Sequence, residues 1–142
     1  MLADESLLQQ VLVNILLNAA QASPPGGAIT VSTRAGTGEE VWKGDHVAGR
    51  AFRSEERTVM MSVSDTGPGI ARDDLGNIFE PFFSTKGRGE GAGLGLAICH
   101  SIIDLLHGTL VVGLPPRGGA TFGIVLPAGA EVSLAAERSH HD

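Results

Sequence analysis

The apolar positions of the first stretch recur with a helical period. Leu7, Leu8, Val11, Leu12, Ile15, Leu16, Ala19 and Ala20 fall along a helix predicted over residues 5–22, with Asp4 placed to cap its start. Ser23-Pro24-Pro25-Gly26-Gly27 ends it, because the prolines cannot continue the hydrogen-bond ladder. Val13 and Leu17 extend the apolar character to the remaining surface, so the helix is expected to be buried nearly all round. One polar stripe interrupts it: Gln10, Asn14 and Asn18, spaced by four, stack on one face with Gln21 beside them. The stripe admits two readings, an amide ladder bonded to neighbouring backbone or a wall presenting amide oxygens to a cation or phosphate.

The period then changes to two. Residues 28–34 alternate Ile29, Val31 and Thr33 with Thr30, Ser32 and Arg34, as a half-buried strand does. Residues 35–57 lose all periodicity and are expected to form a long loop, pinned by Trp42 and Phe52, with His46 as a solvated loop residue. Residues 58–65 read as a strand with Val59, Met61 and Val63 on one face. By the same parity Asp65 is sent inward, where a carboxylate needs donors. Backbone amides of the next turn can supply them, and so can a ligand bearing an amino group. Gly67 and Gly69 follow, permitting positive φ and close approach of a flat ligand.

Residues 71–79 suit a short helix packing through Leu75, Ile78 and Phe79, with Phe82 and Phe83 next as core anchors or a hinge. Between residues 84 and 93 no apolar side chain exceeds alanine, while Lys86 and Arg88 sit among glycines, the composition of a cationic lid. A helix is predicted from about 94 to 107, with Leu94, Ile98, Ile102 and Leu105 inward and Gly108 as its stop. Its first N–H groups favour a phosphate. Residues 109–114 and 120–126 read as a hairpin around Pro115-Pro116-Arg117-Gly118-Gly119. Residues 128–142 form a polar, alanine-rich tail, in which His140 and His141 read as tail residues rather than a metal pair.

Composition narrows the chemistry. A chain of 142 residues suits one domain, and 42% hydrophobic with 18% charged residues is globular. Twenty glycines, against a usual share of roughly 7%, call for unusual backbone freedom. The net charge of -6 argues against a nucleic-acid surface. The single cysteine, Cys99, fits a reducing cytosolic compartment and reads as a small buried helix residue. No apolar run nears the roughly 18 residues of a membrane helix, and the start lacks a signal peptide's basic end.

An acid followed by spaced glycines, an aromatic cluster, and a glycine run opening a helix together point to a nucleotide site under a mobile cover. Familiar machinery is excluded. Gly87-Arg88-Gly89-Glu90-Gly91-Ala92 fits a loose dinucleotide pattern but follows no predicted strand. Neither Lys43 nor Lys86 follows a glycine, so there is no Walker A loop, and the signatures of ordinary protein kinases are missing.

The combination resembles the ATP-binding catalytic domain of bacterial two-component sensor histidine kinases, within the group shared with gyrase, mismatch-repair and heat-shock chaperone ATPases. Residues 10–19 resemble the N box, 65–70 the first glycine box, 79–83 the F box, 91–96 the second glycine box, and Gly119-Ala120-Thr121-Phe122 the last conserved segment. The resemblance implies an α+β fold of Bergerat type, a two-layer α/β sandwich whose mixed β-sheet is covered on one face by about three helices. It places the catalytic domain at 1–127 and a tail at 128–142.

The resemblance also implies site residues. Asp65 would accept the adenine amino group, Gly67, Gly69 and Ile70 would line the ring, and Thr121 would support Asp65 or a water beside it. Asn18 would bind Mg²⁺ through its amide oxygen. Gly91, Gly93, Leu94, Gly95 and Leu96 would receive the phosphates, with Thr85, Lys86 and Arg88 closing over them. Asn14 and Lys86 would hold the catalytic places. Related ATPases carry a glutamate at position 14 to activate water, and Asn14 is a poor base, which favours a kinase over a hydrolase.

ATP and Mg²⁺ are the implied ligands. The implied partner is a histidine-bearing dimerisation domain of the same parent protein, with a response regulator downstream and neither nucleic acid nor direct membrane contact. The site is expected to be cytoplasmic, whether or not the parent is anchored in a membrane. Three departures from the family pattern stand out. None of His46, His100, His107, His140 or His141 has the setting of the acceptor histidine. Only Met1-Leu2-Ala3 precedes the first helix, where the family commonly has one or two strands. Gln21 replaces a common phosphate-binding lysine. A non-catalytic ATP-responsive module and an anti-sigma-factor-type serine kinase are the competing readings.

Overall fold

The computed structural model describes residues 2–81, 83 and 95–128. Helix α1 (Leu2–Ala22) is followed by strands β1 (Thr30–Thr37), β2 (His46–Gly49) and β3 (Arg57–Ser64), helix α2 (Gly95–Leu105), and strands β4 (Thr109–Gly113) and β5 (Thr121–Pro127). The strands form one sheet in the order β1-β3-β5-β4-β2. The two helices pack on one of its faces, giving the expected α+β sandwich. Two details differ: every strand pair is antiparallel rather than mixed, and two α-helices rather than three lie among the described residues.

The core forms where both periodicities point to one layer. Val11, Ile15 and Ala19 of α1 and Cys99, Ile102 and Ile103 of α2 meet Val63, Leu110, Val112, Phe122, Ile124 and Leu126 of the sheet. Alternation along β4 and β5 sends Val111 and Val125 to the opposite face, where they are also buried. Trp42 covers that face, its ring lying where a side chain at Gly113 would otherwise stand and resting against Gly123, where the Met60 methyl takes the side-chain space.

Several sequence expectations are corrected. Helix α1 begins at Leu2, so Asp4 lies inside its first turn rather than at its cap. It is not buried all round, since Val13 and Leu17 are 53% and 55% exposed and Leu16 lies outward as well. Strand β1 is covered on neither face, because it is the outermost strand, and Ile29 and Val31 are exposed. The region 35–57 is not one loop: β1 continues to Thr37, and β2 pairs antiparallel with β4. Four residues without alternation form a strand there because β4 offers a free edge, so tertiary pairing decides where local pattern is silent.

Residues 71–79 form a 3₁₀ turn (Arg72–Asp74) and further turns instead of a helix. Bonds from Asn77 N–H to the Asp74 carbonyl and from Glu80 N–H to the Asn77 carbonyl keep a tight three-residue step. Leu75, Ile78 and Phe79 are nevertheless buried as expected. In α2 the inward phase is Cys99, Ile102 and Ile103, while Ile98 and Leu105 face outward; Leu94 lies outside the described residues. Apolar residues occupy both phases, and the sheet selects one.

The stop of α2 also moves. His107, rather than Gly108, takes the left-handed conformation, with φ 62°. Gly108 N–H reaches the Ile103 carbonyl and His107 N–H the Asp104 carbonyl, the paired bonds of a Schellman cap. Arg50 seals this end by donating to the His107 carbonyl at 2.7 Å while lying 3.9 Å over the Phe52 ring.

Arg50 also pairs with Glu56 at 2.6 Å, and this bond holds the Glu56 carboxyl at a pKa of about 2. A depressed carboxylate pKa stabilises the fold above the ordinary value of 4.5 and loses that contribution as pH falls toward 2. Wild type is therefore expected to melt higher than Glu56→Gln at neutral pH, with the gap closing between those two pH values in a pH series of thermal melts. Ile103→Ala, at a fully buried core position, is expected to cost about 2–5 kcal/mol in denaturant unfolding.

Candidate nucleotide-binding site

Strand β3 delivers Asp65 to the inner face at its end, where the residue is 7% exposed. Its backbone N–H donates to the Ala120 carbonyl at 3.0 Å. Its Oδ1 accepts from Gly67 N–H at 2.9 Å and Ala120 N–H at 3.3 Å. The carboxylate is thus held by a turn on one side and by the start of β5 on the other.

The loop after Asp65 is built by close approach. Gly69 has φ 80°, and a side chain there would meet the Gly119 carbonyl at 2.9 Å. Gly119 also has φ 80° and lies against the Asp65 carbonyl with no room for a Cβ. Gly67 abuts the Ala22 carbonyl at the end of α1, and Thr66 Oγ1 accepts Ala28 N–H at 3.1 Å. Ile70 is half-buried against the core. The 65–70 loop, the end of α1 and the start of β5 therefore make one wall.

The amide stripe of α1 divides by exposure. Asn14 and Asn18 are half-buried, whereas Gln10 and Gln21 are exposed. Asn14 hydrogen-bonds the thiol of Cys99 on α2, and that thiol donates to the Val11 carbonyl at 3.7 Å. Burial pushes the Cys99 pKa up to about 11, against the smaller opposing effect of the Asn14 bond. Gly95 starts α2 exposed, and Leu96 packs on the core beside it. Thr85, Lys86, Arg88, Gly91, Gly93 and Leu94 lie outside the described residues.

Thr121 departs from its expected place. Its hydroxyl pairs with Ser64 Oγ at 2.7 Å, one residue out of phase with Asp65, and Ala120 N–H supports the carboxylate instead. Sequence reading named Gly119 and Ala120 within the last conserved segment but gave neither a role in the site. The Gly118-Gly119 pair just before β5 was the available signal of a close backbone approach.

A family model described as "Histidine kinase-, DNA gyrase B-, and HSP90-like ATPase" matches residues 3–130. The chain belongs to this ATPase family. Its relatives within the family are sensor kinases: it is 40% identical over 126 residues to sensor histidine kinase ZraS of Escherichia coli (strain K12), covering 88% of this chain and 22% of that protein. It is 40% identical over 127 residues to sensor kinase CckA of Brucella abortus (strain 2308), covering 88% of this chain and 13% of that protein. The chain therefore spans less than a quarter of either relative.

Solved histidine kinase structures share the ATPase fold seen here. The mycobacterial sensor histidine kinase MprB superposes with a TM-score of 0.65 at 30% identity, over 86% of this chain and 70% of that one. Full-length ShkA in complex with AMPPNP gives 0.65 at 32% identity, over 87% and 22%. No helix among the described residues is long and apolar enough to cross a membrane.

Two outcomes follow for this ATPase domain. Gly119→Ala combines a positive φ with a clash at the Asp65 carbonyl, and is expected to lower stability by about 2 kcal/mol or more in thermal unfolding. Cys99, buried and protonated, is expected to resist alkylation at neutral pH in the folded chain and to react only after denaturation.

Proposed function

We propose that this chain is the part of a sensor histidine kinase that binds ATP with Mg²⁺ and delivers the γ-phosphoryl group to a histidine on a separate dimerisation domain of the same parent protein. A response regulator then receives the phosphate, and the reaction runs in the cytoplasm. The observation that carries this reading is Asp65, a buried carboxylate fixed by two backbone donors beside a glycine-lined wall. The ATPase family match and the AMPPNP complex of ShkA support it. The catalytic domain is proposed to occupy residues 1–127, with 128–142 as a tail.

The residues present fit the ligand chemically. Asp65 can accept a hydrogen bond from the adenine amino group, whereas guanine would set a carbonyl against it and the two acceptors would repel. Gly67, Gly69 and Ile70 would line the ring, on a loop whose two glycines are held by close approach of the Ala22 and Gly119 carbonyls. Asn18 carries an amide oxygen on the same stripe as Asn14, a donor suited to Mg²⁺, which takes few protein ligands besides phosphate and water. When bound, the ion neutralises phosphate charge.

The remaining work is positioning. The start of α2, with Gly95 and Leu96 and the preceding Gly91, Gly93 and Leu94, receives the phosphate chain. Thr85, Lys86 and Arg88 cover it. The acceptor imidazole nitrogen forms a bond to the γ-phosphorus as the bond to the β-phosphate oxygen breaks, and ADP leaves. Asn14 has no carboxylate with which to activate water, so hydrolysis does not compete well.

Radiolabelled ATP incubated with this chain and a separately supplied dimerisation domain is expected to label the histidine of that domain. Asp65→Asn is expected to weaken ATP binding with or without Mg²⁺. Asn18→Ala should chiefly remove the metal-dependent part, by about tenfold or more. Normal ATP binding without any transfer would instead favour a nucleotide-responsive module, and equal losses in both variants in EDTA would contradict the roles given to Asp65 and Asn18.

A further inference from the structure

Asp45 and His46 belong to no nucleotide motif, yet the start of β2 sets them against Arg72, Leu114 and Phe79. Asp45 Oδ2 accepts Leu114 N–H at 2.7 Å, and Oδ1 accepts the Arg72 guanidinium at 3.1 Å. The Leu114 bond, and next to it the Arg72 bond, hold the Asp45 carboxyl below the usual carboxylate range. Arg72 opens the 3₁₀ turn just beyond Ile70. His46 stacks on Phe79, with ring centroids 6.3 Å apart and planes 22° apart. Phe79 in turn lies 5.8 Å from the ring of His100 on α2, which pairs with Asp104 at 3.6 Å.

The connection 71–79 joins the adenine loop to the aromatic segment, and only short turn bonds hold it internally. Such a segment has little stiffness of its own, so its placement depends on its side-chain contacts. Burial of Leu75 and Ile78 gives adhesion without much direction. The ring stack is directional, because aromatic faces at 4.5–7 Å prefer offset or tilted arrangements.

We infer that Asp45 and His46 are positioning residues of the nucleotide site, bracing the 71–79 connection from β2 so that the 65–70 loop and α2 keep the spacing a nucleotide requires. The inference rests on the ATP reading above. His46 acts through its ring face, so another aromatic ring serves in its place. Arg72 contributes less, because its side chain is 70% exposed and its ion pair is screened by water.

The test is calorimetric titration of the full chain with ATP and Mg²⁺, with a melting temperature recorded for each protein. His46→Ala is expected to weaken binding about threefold to tenfold, the range an aromatic contact supplies. His46→Phe should stay within about twofold of wild type, and His46→Leu, which keeps bulk but has no ring, should resemble His46→Ala. A general packing role would instead let leucine rescue as well as phenylalanine.

Equal affinity of the Phe and Leu variants, or an alanine variant that binds like wild type, overturns the inference. The Phe and Leu pair decides the matter even where alanine does not fold. Wild type that binds while the substitutions are silent overturns this inference alone. Wild type that is folded yet does not bind overturns the ATP reading, and the inference falls with it.

Discussion

A carboxylate withdrawn from water must be given donors, and the way Asp65 receives them fixes the geometry of the cleft. One donor, Gly67 N–H, comes from its own turn, and the other, Ala120 N–H, comes from the start of β5. The second exists only in the observed register, where Ser64 faces Thr121 and Asp65 N–H bonds the Ala120 carbonyl. A slip of one residue would turn Asp65 to the other face and bring the wrong backbone group to it. The absence of a side chain at Gly119 is part of the same constraint, because the Asp65 carbonyl occupies that space.

From that point the rest of the site is assembled by contact. Gly69 sits on Gly119 and Gly67 on the Ala22 carbonyl, so the loop after β3 is tied to β5 and to the end of α1 together. Helix α1 then serves two sides at once. Val11, Ile15 and Ala19 anchor it in the core, while Asn14 and Asn18, about a quarter turn away, are held on a rigid support. Helix α2 is fixed at its C-terminal end by the His107 cap and the Arg50 clasp.

Much of this was legible in the sequence, and the exceptions share a cause. The long helix, the β4–β5 hairpin, the inward turn of Asp65 and the burial of Leu75, Ile78 and Phe79 followed from local periodicity, because burial and period agreed there. The misplaced features depended on partners distant in sequence. Strand β2 exists because β4 had an edge to offer, and α2 chose the Cys99–Ile103 phase because the sheet lies on that side. Exposure of Val31 follows from the position of β1 at the sheet edge, and the pairing of Thr121 with Ser64 follows from register. His46, read as a solvated loop residue, became half-buried once β2 brought it to Phe79.

The central claim is that Asp65 selects adenine in a preformed cleft, and nucleotide discrimination tests it most directly. Matched titrations of the folded chain with ATP and with GTP, in Mg²⁺ and then in EDTA, should show ATP binding that strengthens with the metal. GTP should bind about 100-fold more weakly or worse, since a site built around one hydrogen-bond pattern rejects its inverse. Equal affinity for the two nucleotides, or no ATP binding by a chain shown to be folded, would contradict the account.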